Sequence, residues 1–233
     1  MIDPEFIDSL RLFFQYAAHS DRFSAAAGSR MTRAAKMKND MVKKRISDIG
    51  NEVDRTVSAI EKLPFVRFTA REHTDQKYFV GITKQIAVCI EFQNSEPSLV
   101  NLGQYIVYVP TASILKQSLN DYHFIRMKRP YDIERHYHHI SSRPPSRRGK
   151  PNPLDHTPST CWGSVGAMMI GAMNMLDIGS IFETAHVFLT HININDTLGS
   201  PKDIQVLKDE EFLALSGMSP IELFNIRDKH NPF

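Results

Sequence analysis

The chain has 233 residues, 42% of them hydrophobic and 23% charged, with a formal net charge of +2 and a mean hydropathy of −0.30. That is enough apolar material for a sizeable core, and too little net charge for a polycation, so any claim on nucleic acid must rest on local patches. Two cysteines, Cys89 and Cys161, make no disulfide framework. Residues 1–10 carry Asp3, Glu5 and Asp8 where a secretory signal would be basic. The most apolar stretch, 165–176, falls short of the ~18 residues of a membrane span and is interrupted by Gly166, Gly171 and Asn174. The expectation is a cytoplasmic protein with reduced thiols, no membrane partner and no cofactor.

The first sixty residues read as helical. Phe6, Ile7, Leu10, Phe13 and Phe14 fall at helical spacing, and Met37, Met41, Ile46, Ile49, Val53, Val57 and Ile60 predict a second helix running from 32 to 63. From Arg30 to Arg45 that helix carries seven positive residues against Asp40 alone. This is either a solvated face or a site for an acidic partner. The lack of interleaved aromatics argues against nucleic acid. A long exposed helix would also suit a homo-oligomer. Pro64 ends the helix, and strands follow at 65–69, 78–82, 86–92, 104–109 and 122–127, rich in β-branched and aromatic residues. Short connections predict an antiparallel meander, with a helical turn at 111–119 before its last strand. The fold class is therefore α+β: a β-meander flanked by helices, behind an N-terminal helical segment.

From 129 to 159 the strand pattern stops in a Pro-rich stretch that carries Arg143, Arg147, Arg148 and Lys150, a second patch for an acidic partner. Helices resume at 165–176 and 181–189. The tail reads as two short helices, one capped by Asp209 and ended by Gly217, the other opened by Ser219-Pro220-Ile221-Glu222. The domain reading is 1–63, 64–199 and 200–233.

The chemistry concentrates between His136 and Cys161. His136, His138, His139 and His156 lie there. A thiol just before a helix N-terminus gains from the helix dipole, which favours the reactive thiolate. Cys89, among Ile86, Ala87, Val88 and Ile90, reads as a small core residue. Four readings of the cluster stand open. The histidines are surface or capping groups; or they bind zinc with Cys161, without any firm ligand spacing; or one is the base of a Cys–His hydrolase; or Cys161 carries a thioester.

The order of helix, meander, His-containing turn, irregular stretch, cysteine and helices resembles the ubiquitin-conjugating enzyme fold. It is closest to the diverged conjugating-enzyme-like proteins of bacteria and their viruses. His136-Tyr137-His138-His139-Ile140-Ser141 resembles the turn that precedes the catalytic cysteine in those relatives, and Cys161-Trp162-Gly163 resembles the cysteine motif. The proline and asparagine of the eukaryotic His-Pro-Asn turn are absent, and 143–155 would be an insertion. Gly103-Gln104-Tyr105-Ile106-Val107-Tyr108-Val109-Pro110 resembles a central meander strand, and 181–190 with Asn193-Ile194-Asn195-Asp196 the post-cysteine helix and its closing turn. The resemblance spans 65–197. It implies that Cys161 accepts a ubiquitin-like protein from its activating enzyme, with His139 or His138 stabilising the oxyanion and assisting proton transfer. It also implies a rival: a non-catalytic RWD-like interaction scaffold. A structural or assembly protein is the third expectation, and no metal is expected under either of the first two.

Overall fold

The computed structural model describes residues 1–20, 33–73, 75–90, 98–119, 122–126, 162, 165–190 and 205–206. They form a mixed α+β structure. Pro4 opens α1 (Pro4–Ala18), whose fixed φ suits a first helical turn. Phe6, Leu10, Phe13, Phe14 and Ala17 are its buried face.

The long second helix expected over 32–63 is two helices, α2 (Arg33–Ile46) and α3 (Ile49–Ile60). The break is at Ser47-Asp48, because Asp48 prefers to cap: its Oδ1 accepts from the Asn51 backbone N–H at 3.2 Å. The two halves therefore bury independently chosen faces. In α2 the inward residues are Val42 and Ile46, while Met37 and Met41 of the expected stripe are exposed.

Two strands follow as an antiparallel pair, β1 (Phe65–His73) and β2 (Gln76–Thr83), turned by Asp75 at φ 63°. The next expected strand does not continue the meander. β3 (Ile86–Ile90) pairs instead with β4 (Ser98–Gly103), a strand the sequence reading missed, and β4 also pairs with β7 (Gln205–Val206). The chain then returns as β5 (Tyr105–Pro110), which pairs directly with β2 and, on its other side, with β6 (His123–Arg126). The main sheet thus has the order β1-β2-β5-β6. Its corner is stitched by Thr83: the hydroxyl accepts from the Tyr105 backbone N–H at 2.9 Å, and the carbonyl accepts from Gln104 Nε2 at 3.0 Å. Gly103, at φ 80°, supplies the left-handed backbone of the return. These bonds tie the start of β5 to the end of β2, which is why β3 and β4 stand as an excursion.

Between β5 and β6 lies α4 (Thr111–Lys116), matching the helical turn expected at 111–119. After Trp162 come α5 (Val165–Asn174) and α6 (Ile178–Thr190). Period-two alternation sends Phe79, Tyr105, Val107 and Val109 to one face of the sheet and Tyr78, Val80, Ile82, Ile106 and Tyr108 to the other. The first face carries the main core, shared with Phe6, Leu10, Phe13 and Phe14 of α1, Val53 and Ile60 of α3, and Ile181, Phe182 and Ala185 of α6. Residues 1–63 and the sheet therefore share one core. Gly81 is required by this packing, since a Cβ there would lie 2.8 Å from the rings of Phe182 and Phe65. Among the described residues no helix is long and apolar enough to cross a membrane.

Candidate functional site

His136, His138, His139, His156 and Cys161 lie outside the described residues, as do the basic run Arg143 to Lys150, the turn Asn193 to Asp196 and the helices read in the tail. What the structure describes is the frame on either side. β6 leads toward the histidine segment, and Trp162 follows Cys161 in the chain.

Trp162 is buried. Only 8% of it is exposed, and its indole sits in a ring cage, edge to face with Tyr122 at 5.4 Å and Phe124 at 5.7 Å and tilted against Phe188 at 4.8 Å between centroids. Its Nε1–H donates to the Leu119 carbonyl at 3.3 Å, which satisfies the one polar group on an otherwise apolar ring. Tyr122 is itself buried, and its hydroxyl meets the Met173 sulfur at 3.2 Å. Burial pushes the Tyr122 phenol well above its ordinary range. The cage joins the approach to β6, through Leu119, Tyr122 and Phe124, to Trp162 and to α6. The chain thus meets itself on either side of 127–161.

The Trp162 carbonyl also accepts the Gly166 backbone N–H at 3.2 Å, which ties it to the first turn of α5, and a Cβ on Gly166 would lie 3.0 Å from Trp162 Cβ. In sequence terms Cys161 is the residue immediately before Trp162. Trp162 belongs to the core.

Two charged clusters were not foreseen. Glu52, whose side chain is 1% exposed, receives Arg55 at 2.7 Å and lies 3.1 Å from Arg45 Nε. Arg45 also donates to the Met175 carbonyl, tying α2 to the α5–α6 corner. Burial lowers the Arg45 pKa, against the opposing pull of Glu52, while the hydrogen bond that Arg55 donates to Glu52 raises that of Arg55. Asp177 acts electrostatically on both arginines and caps α6 by accepting from the Ser180 N–H at 3.1 Å. The second cluster lies along β1. Arg67 is clamped on Asp3 by contacts of 2.8 to 3.0 Å, and Arg71 on Glu5 at 2.8 Å. Its neighbour Tyr108 is pushed up to about 12, by burial first, with the Arg71 charge working against the shift. The i,i+7 pairing of Arg45 with Glu52 across the helix break was the one available sequence signal, and it is legible only once the break is known.

Among the described residues no group of three or more His, Cys, Asp or Glu side chains is placed to hold a metal ion. Comparison with protein families, with characterised proteins and with solved structures finds no match to the chain.

Proposed function

We propose that the chain is a diverged ubiquitin-conjugating-like protein that carries a ubiquitin-like modifier as a thioester on Cys161 and passes it to an acceptor amine. One observation carries this reading: Trp162, next in the chain to Cys161, is a buried core residue whose carbonyl accepts the Gly166 N–H of α5. On this reading Cys161 stands a few residues ahead of α5 in the chain, where a helix dipole favours a thiolate. The order of the main sheet supports it too, since β5, the strand at 105–110, is central between β2 and β6.

The chemistry follows from the residue types. The Cys161 thiolate attacks the carbonyl carbon of the thioester on the activating enzyme, a new S–C bond forms, and the enzyme's thiolate leaves. An acceptor amine then attacks the same carbon. The Cys161 thiolate leaves, and the amine's proton passes to a base. The oxyanion of each attack needs a positioned donor, and His139 or His138 fills that role, with His136 as a further imidazole for proton transfer. The basic patches from Arg30 to Arg45 and from Arg143 to Lys150 suit acidic partner surfaces.

The test is an incubation of the chain with an activating enzyme, its ubiquitin-like protein and ATP. The expected product is an adduct that disappears under reductant, is absent from Cys161→Ala and persists in Cys89→Ala. Absence of any adduct, with the chain folded, overturns the reading.

A second reading, a non-catalytic RWD-like scaffold, is favoured by the same tryptophan. Burial in the cage gives the Cys161-Trp162-Gly163 motif a packing purpose that needs no reactive sulfur. On that reading Cys161→Ala changes no activity or binding.

A further inference from the structure

α1 turns two large side chains to solvent. Leu12 is 55% and Tyr16 68% exposed, one turn apart and outside the buried face of Phe6, Leu10, Phe13, Phe14 and Ala17. With Leu12 as centre, Glu5 and His19 lie seven residues before and after it, within about 20° of the same line along the helix. Asp8 and Gln15 flank that line on one side, Ser9 and Tyr16 on the other. Ser9 is half-buried, and the other four polar residues are exposed.

This face is its own complement. Let a second copy of α1 lie against it end for end, about a two-fold axis at Leu12. Leu12 then meets Leu12, Asp8 faces Gln15 on one flank, and Ser9 faces Tyr16 on the other. Further out Glu5 faces His19. That ring's Nδ1 is engaged by the Gln15 carbonyl at 2.8 Å, which leaves Nε2 to a neighbour, and the imidazolium form donates from it. Each acid thus meets a donor. Asp8 is held by Arg11 at 3.1 Å and Glu5 by Arg71 at 2.8 Å within the copy, yet both carboxylates are more than half exposed and have lone pairs to spare.

Other occupants fit less well. A copy laid parallel would set Glu5 on Glu5 and Asp8 on Asp8, like charge on like. Two acids on the face also repel the phosphates of nucleic acid and of anionic lipid. One helix pair over four turns stays below the area of a standard interface, so the contact is transient, with a dissociation constant on the order of 100 µM.

We infer that α1 docks antiparallel on α1 of a second copy of this chain, with Leu12 on the two-fold axis.

The test is sedimentation equilibrium of the full chain from about 10 µM to about 1 mM, a range that brackets such an affinity. The weight-average mass rises from 26.6 kDa toward twice that value. Leu12→Asp and Leu12→Lys each place two like charges at the axis and raise the dissociation constant about tenfold or more. Leu12 stands in solvent, so both variants keep the parent's circular dichroism. An equimolar mixture of the two sets acid against base and returns to within about threefold of the parent. Gln15→Lys, facing Asp8 of the other copy, tightens the dimer, and Gln15→Glu loosens it. A parent chain that stays monomeric across the range overturns the proposal, as do Leu12 variants that associate as the parent does or a mixture that fails to recover. Any other order of the Gln15 variants, or growth past the dimer, overturns the antiparallel two-fold arrangement.

Discussion

Glu52 holds a carboxylate almost out of water between two guanidinium groups, one mostly buried and one nearly half exposed. The two partners are not equivalent. Arg55 is nearly half exposed and is screened, so its share is small. Arg45 is withdrawn from water and has Glu52 as its counter-charge, so removing the acid strands a cation. Glu52→Ala is therefore expected to destabilise the fold by about 3 kcal/mol, and Arg55→Ala by well under half of that, as read from urea unfolding midpoints. Tyr108 supplies a pH dependence of known sign. Its phenol titrates near 10 when unfolded and about 12 when folded, so the folded state holds the proton more tightly. Stability is fully present below pH 10 and falls as pH rises from 10 to 12. Tyr108→Phe is expected to remove that part of the slope, of order 2 to 3 kcal/mol across the window, when unfolding is measured on both chains from pH 9 to pH 12 (about 1.4 kcal/mol per pKa unit).

At the scale of elements, punctuation decided what the sequence could show. The helix pattern of 32–63 hides its own interruption, because Ile46 and Ile49 are apolar on both sides of the break and the eye joins them. Asp48 is the signal that divides them, a capping residue with Asn51 and Glu52 in the first turn beyond it. Asp48→Ala is expected to cost about 1 kcal/mol, seen as a lower thermal midpoint. Five of the strands were legible from β-branched and aromatic alternation, and α4, α5 and α6 from helical spacing. β4 was missed because Ser98-Leu99-Val100-Asn101-Leu102-Gly103 carries few β-formers and begins just after Pro97. The pairing of β2 with β5 was not legible at all. It depends on Thr83 and Gln104, polar residues at strand ends whose bonds are made only in three dimensions. Of the candidate site, the sequence gives the residue types and their order, and the described structure adds the tryptophan that follows the cysteine. Trp162 packs because a large aromatic between a loop and a helix has more apolar area to bury than chemistry to offer.

For the molecule as a whole, that tryptophan closes one layer of the core. It draws the start of β6, the chain leading into α5 and the last turn of α6 onto one ring system, with Phe188 and Phe124 also in contact with each other at 5.2 Å. Trp162→Ala is expected to destabilise the chain by about 3 to 5 kcal/mol, while Trp162→Phe retains most of the packing and loses the bond to Leu119. Near-ultraviolet circular dichroism and unfolding midpoints separate the two variants. On the thioester reading, Trp162→Phe still forms the adduct on Cys161 if the fold is kept. A loss of adduct in that folded variant would mean that the indole itself is part of the chemistry.

The stitched corner at Thr83 has a consequence for how such a chain can change over time. Because the end of β2 and the start of β5 are bonded to each other, the segment between Ala87 and Leu102 is insulated from the sheet register. Insertions or deletions near its tip can accumulate without sliding Phe79 off Val109 or Val107 off Phe124. Kindred chains are thus expected to drift in length there, while the spacing from Tyr105 to Phe124 stays nearly constant.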